Sequence, residues 1–345
     1  MATTTTARVE PIEEVSVPAR GSMKAVVKGA YGEPGAVLRL LDVAMPVIKA
    51  GEVLVRVRSA SVHVGDWLIV KGLPYIARPA FGRVLPKTGI PGTDVAGTVE
   101  AVGSGVTQLR PGDDVFGWCT GAFAEYACAP EAQFVPKPVN ITFEQAAAVG
   151  VSASTALQLL RDQGHVQQGM KVLVNGASGG VGTFAVQVAK AFGAEVTGVC
   201  SAKNVEMVRS IGADHVIDYA QEDFTKGEAR YDFILDNVGN HSPSETRRAL
   251  TPMGKLQSNN GTSGGPWFGT TGTMIKTAAA SMFGKQQLGP AIKFQNRADL
   301  LVLKGLIEAG KVTPIIDANY QLSSTPKAIA HVRNYERTAV TSAVV

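Results

Sequence analysis

Between Met23 and about Pro138, apolar residues fall in short runs. Lys24–Lys28 and Val53–Arg58 alternate apolar with polar positions, and Val95–Val102 is a nearly continuous apolar run. Gly32-Glu33-Pro34-Gly35, Lys49-Ala50-Gly51-Glu52 and Pro111-Gly112-Asp113 punctuate them. Period-two alternation bounded by such turn residues predicts the short strands of a β-barrel-like domain. Residues 72–92 are rich in Pro and Gly and predict a loop. Near Asn140 the pattern changes. Thr142 and Gln145 have capping-box spacing ahead of a helical stretch through Ala147 and Ala156 to Leu160. From Lys171 onward strands and helices alternate. Strands are predicted at Lys171–Asn175, Glu195–Cys200, His215–Asp218 and Phe233–Asn237. One helix carries Val181, Phe184, Ala185, Val188, Ala189 and Phe192 on a single face, and a second covers Val205–Ile211. This alternation predicts an α/β, doubly wound parallel sheet. Beyond the Gly/Thr-rich stretch after Gly261, helices are expected near Met274–Phe283 and at Arg297–Ala309. From Ile315 the chain reads as a strand and then a helix.

Composition narrows the picture. The 345 residues suit two domains, and 45% hydrophobic with 18% charged residues excludes a wholly disordered chain. Lys+Arg 33 against Asp+Glu 29 leaves a net charge of +4, with no single dense basic cluster, which argues against a nucleic-acid partner. The cysteines are Cys119, Cys128 and Cys200, an odd number with no C-x-x-C spacing. That excludes a disulfide framework and a four-cysteine zinc site, and fits a reducing cytoplasm. Val172–Ala189 is uncharged but holds Gly176, Gly179, Gly180 and Gly182, so it reads as buried core and not as a membrane span. Residues 1–22 carry Glu10, Glu13 and Glu14 and no apolar run. They predict a disordered tail, not a secretory signal or a transit peptide.

The strongest motif is Asn175-Gly176-Ala177-Ser178-Gly179-Gly180-Val181-Gly182, between a predicted strand and a predicted helix. That is the context a dinucleotide loop requires. Gly179 admits a pyrophosphate to the backbone, Gly182 lets helix and strand pack closely, and Ser178, Gly180 and Val181 present donors at the helix start. The second strand ends Cys200-Ser201-Ala202-Lys203-Asn204, with no acid to hold a ribose 2′-OH as an NAD site would. Ser201 and Asn204 offer hydrogen bonds, Lys203 offers charge to a 2′-phosphate, and Tyr219 ends the next strand nearby. These residues favour NADP(H). Lys203 also fits an ordinary solvated lysine. Gly176-x-Ser178-x-Gly180 equally matches a hydrolase nucleophile elbow, as does Gly261-x-Ser263-x-Gly265, with Asp236 and His241 or His331 as nominal partners.

Four segments together resemble the medium-chain dehydrogenase/reductase superfamily, in its zinc-free quinone oxidoreductase-like branch. They are Gly92–Val99 with Val102-Gly103 and Pro111-Gly112-Asp113-x-Val115; Ala148-Val149 through Leu157; Asn175–Gly182; and Gly212–Tyr219 with Asp236–Gly239. The resemblance begins at Met23, after the tail over residues 1–22, and implies a GroES-like domain over residues 23–145. It also implies a Rossmann cofactor domain over 146–290 and a segment over 291–345 returning to the first domain. It implies a homodimer too. Zinc-dependent relatives carry an early cysteine and a Gly-His-Glu; here Ala60–Asp66 has none and Gly92-Thr93-Asp94 stands at the second place. No metal is therefore expected. His63 stands where zinc-free relatives usually carry Asn. It fits either a hydrogen bond to the nicotinamide ribose or substrate carbonyl, or a structural role. Asp66 is a candidate for catalysis or for holding its loop. Tyr75 is a candidate to polarise a carbonyl or to pack its loop. Thr155, Asn237 and Val238 are implied near the nicotinamide. The C-terminal Tyr335–Val340 departs from the family's Gly-Lys pair, keeping only Arg337, and Gly254–Gly261 is unusually polar. The implied activity is zinc-independent, NADPH-dependent reduction of quinones or α,β-unsaturated ketones. The alternatives are carbonyl/alcohol interconversion and a non-catalytic NADPH-binding sensor or subunit.

Overall fold

The computed structural model describes residues 21–78, 89–259, 265–268, 285–291, 294–333 and 340–344. Most of the expected tail, the expected helix Met274–Phe283 and Arg337 lie outside these ranges. Strands β1 (Ser22–Lys28) and β2 (Leu38–Ala44) pair antiparallel. The main sheet of the first half is built on the long β3 (Glu52–Val62). One edge of β3 pairs with β4 (Asp94–Val102), which continues to β5 (Asp114–Trp118) and β7 (Phe134–Pro136). Its first half also pairs with β6 (Tyr126–Pro130). Only Val55–Ser59 of β3 alternates buried with exposed positions; Val53–Val55 and Ser59–Val62 are buried on consecutive residues, as in a strand covered on both faces. The expected barrel-like half is thus one seven-stranded sheet with a two-stranded sheet beside it. The two are stitched by the Ala25–Ala124 bridge and a Val26 N–H to Phe123 O bond of 2.9 Å.

The cofactor-type half is a six-stranded sheet. Its strands are β8 (Lys171–Asn175), β9 (Glu195–Cys200), β10 (His215–Asp218), β11 (Tyr231–Asp236), β12 (Leu250–Ser258) and β13 (Gln287–Pro290). They lie in the order β10-β9-β8-β11-β12-β13, and every pairing is parallel. This is the Rossmann order. Its topological switch point falls between β8 and β11, where ligands bind outside the carboxyl ends of the strands. The polar stretch from Gly254 lies within β12. Strands β14 (Ile316–Gln321) and β15 (Val340–Val344) pair parallel to each other, and β15 adds antiparallel to the second half of β3.

The predicted continuous helix to Leu160 is broken. Helices Phe143–Ala147 and Gly150–Gln158 are separate, and Leu159–Gly164 continues as a π turn. The Thr142–Gln145 capping box is formed. A continuous helix would give the Val151 N–H to the Ala147 carbonyl. Instead the buried Asp94 carboxylate takes it, at 2.9 and 3.0 Å, and a new helix starts at Gly150. One core spans both halves: Ala96, Phe116 and Val135 of the first sheet join Leu157, Phe184 and Phe233 in a single buried cluster. The two halves are thereby joined by a shared apolar core.

Candidate functional site

At the switch point, Gly176 turns the chain out of β8 with φ +77°, a conformation that favours glycine. Gly179 caps helix Gly180–Ala191 in extended conformation, without a side-chain cap. The first N–H groups of that helix keep their donors for an outside anion. A Cβ on Gly182 would overlap the Gly176 carbonyl oxygen, and one on Gly198 would come within 2.6 Å of Val208. Glycine at these places sets how closely loop, helix and strand approach. The loop therefore fits a pyrophosphate held by backbone donors.

Beyond the loop, Asn204 Nδ2 donates to Ser178 Oγ at 3.1 Å and to Ser201 Oγ at 3.2 Å. Ser201 and Asn204, expected at the ribose end, and Ser178, expected at the helix start, are one linked group. The serine oxygen of the elbow-like motif is thus engaged by an amide and not by a histidine. Lys203 is exposed beside them and makes no ion pair among the described residues. The Tyr219 N–H donates to Cys200 O at 3.1 Å, and the Tyr219 ring is 62% exposed at the end of β10. A large aromatic left in water beside two strand ends is a stacking surface for a planar base.

The other side of the switch point is knitted together. Asn175 Nδ2 donates to Asp236 Oδ1 and Asn240 Oδ1, both at 2.9 Å. The Val238 and Gly239 N–H groups also donate to Asp236 Oδ1, at 3.1 and 2.9 Å. Asn237 Nδ2 donates to Asn175 O at 3.2 Å, and its Oδ1 accepts from Asn259 at 2.8 Å. Asn237 therefore ties β8, β11 and β12 together. The apolar Val238 is left 44% exposed over Gly176.

On the opposite half, His63 caps helix Val64–Lys71. Its Nδ1 accepts the Gly65 N–H at 3.0 Å, so a neutral imidazole carries its proton on Nε2. A Cβ on Gly65 would sit 2.7 Å from His63 Cε1, so glycine there lets the ring fold back. The buried Asp66 closes the capping box: its Oδ2 accepts the His63 N–H at 3.0 Å and lies 3.6 Å from His63 Nε2. Burial pushes the Asp66 carboxyl above its ordinary value, opposed by His63. Burial raises Asp94 to about 7, while His63 and the Val151 N–H pull it down and Asp66 pushes it up. Ser61 Oγ, His63 Nε2 and Asp66 Oδ1 are buried without a hydrogen-bond partner. Unsatisfied buried polar atoms gathered in one place mark a site waiting for a ligand group or water. Thr155 is buried on helix Gly150–Gln158, whose first turn Asp94 caps. Tyr75 lies apart from His63 in sequence, in a short helical turn. Its ring meets Trp267 of the β12–β13 connection edge-to-face, with centroids 5.3 Å apart. Residues 79–88 of the expected loop are outside the described residues.

Sequence reading missed the cap that Asp94 supplies, because Asp94 and Val151 are 57 residues apart and no local pattern links them. The histidines beyond His63 are His165, His215, His241 and His331. Three of them pair with carboxylates: His215 with Glu195 at 3.1 Å, His241 with Asp223 at 3.8 Å and His331 with Asp317 at 2.7 Å.

Residues 49–139 match the family model described as "Alcohol dehydrogenase GroES-like domain", and residues 211–338 match "Zinc-binding dehydrogenase". The chain is 34% identical over 321 residues to the chloroplast envelope quinone oxidoreductase homolog of Arabidopsis thaliana, covering 89% of this chain and 94% of that protein. The chain belongs to the medium-chain dehydrogenase/reductase superfamily. Within this superfamily it is quinone oxidoreductase-like. It is 31% identical over 344 residues to a mitochondrial NAD(P)H oxidoreductase of Mus musculus, covering 90% of this chain and 86% of that one. The solved quinone oxidoreductase of Coxiella burnetii superposes with a TM-score of 0.81 at 27% identity, over 94% of this chain and all of that one. A medium-chain dehydrogenase/reductase of this kind is a nicotinamide-dependent oxidoreductase. Among the described residues, no helix is long and apolar enough to cross a membrane.

Proposed function

We propose that this oxidoreductase uses NADPH to reduce quinones or α,β-unsaturated ketones, without zinc. The observation that carries the reading is the carboxylate-free end of β9. There Asn204 links Ser178 to Ser201, and Lys203 is exposed without an acidic partner among the described residues. A 2′-phosphate fits beside Lys203, where an NAD site would place an acid for the 2′-OH. The printed names of the quinone oxidoreductase relatives support the substrate class. Among the described residues, no three His, Cys, Asp or Glu side chains are grouped to hold a metal.

When bound, the cofactor supplies a hydride to the β-carbon of an enone or to a quinone ring, and the substrate oxygen becomes an oxyanion. The rest falls to the protein. The loop Gly176–Gly180 and the Ser178–Ser201–Asn204 group bind the dinucleotide. The Nε2–H of His63, which makes no hydrogen bond among the described residues and lies 3.6 Å from Asp66, would be the donor for the oxyanion, with Asp66 positioning it through the capping box. Tyr75 and Trp267 wall the cleft against water. A homodimer joined along β13, the outermost strand of the six-stranded sheet, and a cytoplasmic location belong to the same proposal. The test is oxidation of NADPH by a panel of quinones and enones, with and without a chelator. Turnover that survives the chelator is expected. Activity lost to the chelator and restored by zinc would overturn the zinc-free reading.

A further inference from the structure

Two stretches of the sequence carry cations and no acid. Residues 67–93 hold Lys71, Arg78, Arg83 and Lys87 without any Asp or Glu. Residues 246–298 hold Arg247, Arg248, Lys255, Lys276, Lys285, Lys293 and Arg297, again without one. In a chain with Lys+Arg 33 and Asp+Glu 29, acids are not scarce. The edge-to-face contact of Tyr75 with Trp267 brings these two stretches together.

Of the cations nearest that contact, Arg78 is half-buried and Lys28 is buried, and neither makes an ion pair among the described residues. The Arg78 guanidinium lies over the Tyr75 ring at 4.4 Å and over the Tyr31 ring at 4.9 Å. Its Nε donates to Gly72 O at 3.0 Å, and the guanidinium makes no ion pair among the described residues. Residues 79–88, which follow it directly, contain no acid to neutralise it. Lys28, 4% exposed, sits over the Tyr31 ring at 5.1 Å and donates to Ile69 O at 3.2 Å. Burial pulls its pKa down. Glu33, in the same loop as Tyr31, is paired with Lys71. Gly72 makes the arrangement possible: with φ +64°, it leaves open the space where a Cβ would come within 2.6 Å of Tyr31 and 3.0 Å of Arg78 Nε. A guanidinium fixed between two rings, with its remaining donors uncommitted, is shaped to take a planar anion in two-pronged fashion.

We propose that the Tyr31–Arg78–Tyr75 cluster is a subsite for a carboxylate carried by the substrate. The inference rests on the reductase reading and refines its substrate class to conjugated carbonyl compounds with a remote carboxylate. The separation is set by helix Val64–Lys71. His63 caps one end and Gly72 the other, and eight residues span about 12 Å.

The test compares a straight-chain enone ending in a carboxylate with its methyl ester. Wild-type kcat/KM should favour the acid by about tenfold or more at low salt. Arg78→Met should erase that preference and leave the ester and NADPH affinity unchanged. Arg78→Lys should restore part of it. Equal use of acid and ester by the wild type would overturn the subsite and leave the reductase reading standing. So would Arg78→Met weakening NADPH in place of the acid. Turnover of neither compound would overturn the reductase reading. The subsite is then decided by quenching of tryptophan fluorescence: quenching by the acid alone, lost in Arg78→Met, upholds it, and its absence overturns it.

Discussion

The two ends of the cleft are built on opposite principles. At the cofactor end, polar groups are matched: Asn175, Asp236, Asn237 and Asn259 form a chain of hydrogen bonds across three strands. Glycines there fix how closely backbone meets backbone. At the substrate end, Ser61 Oγ, His63 Nε2 and Asp66 Oδ1 are buried without partners, and Arg78 and Lys28 have no counter-ion among the described residues. The first region is a rigid frame of satisfied polar groups; the second keeps buried polar atoms without hydrogen bonds among the described residues.

The sharpest way to break the cofactor end is Gly182→Ala. The new Cβ would collide with the Gly176 carbonyl, and the loop must move. A cost of about 3 kcal/mol is expected, seen as a hundredfold or so weaker NADPH binding in a fluorescence titration. Unchanged affinity would show that the loop is not the phosphate site.

Next in size is Asp94, which belongs to the boundary between the two ends. Its folded-state pKa is raised to about 7 from an ordinary 3.8. A raised carboxyl pKa stabilises the fold when protonated, so this contribution is full below about pH 4 and fades as pH rises through 7. Asp94→Asn keeps an oxygen for the Val151 N–H and removes the titration. Urea unfolding should show the wild type losing about 2 kcal/mol between pH 5 and pH 8 at this group, and the variant losing clearly less. The raised Asp66 acts in the same direction and leaves some slope. Identical slopes would contradict the burial argument.

Lys203→Glu sharpens the cofactor assignment. The preference for NADPH over NADH should fall by about tenfold, read from paired titrations. An unchanged ratio would assign the 2′-phosphate elsewhere. The smallest effect is expected at Ser61→Ala. Removing a buried hydroxyl with no partner should change stability by no more than about 0.5 kcal/mol, or raise it. A large loss would reveal an unseen partner such as a bound water.

The same contrast explains what could be read in advance. The parallel sheet and its phosphate loop were legible because their signals are local: β8, the loop and helix Gly180–Ala191 occupy one continuous segment. The Ser178–Ser201–Asn204 group was legible because strand ends of such a sheet converge by topology. The substrate end was not. Tyr31, the Tyr75–Arg78 turn and Trp267 come from three separate segments, and no local pattern joins them. The break of the helix at Gly150 was hidden for the same reason, since its cause is a carboxylate on β4. His63 sat between two readings. The structure shows that it caps a helix with Nδ1, while its buried Nε2 lies 3.6 Å from Asp66 Oδ2.

The most direct measurement is calorimetric titration of the wild type with NADPH and with NADH, followed by addition of a quinone and an enone to the NADPH complex. The account predicts that NADPH binds about tenfold more tightly and that its absorbance falls once either acceptor is added. Tighter binding of NADH, or NADPH bound without any oxidation by either acceptor, would contradict it.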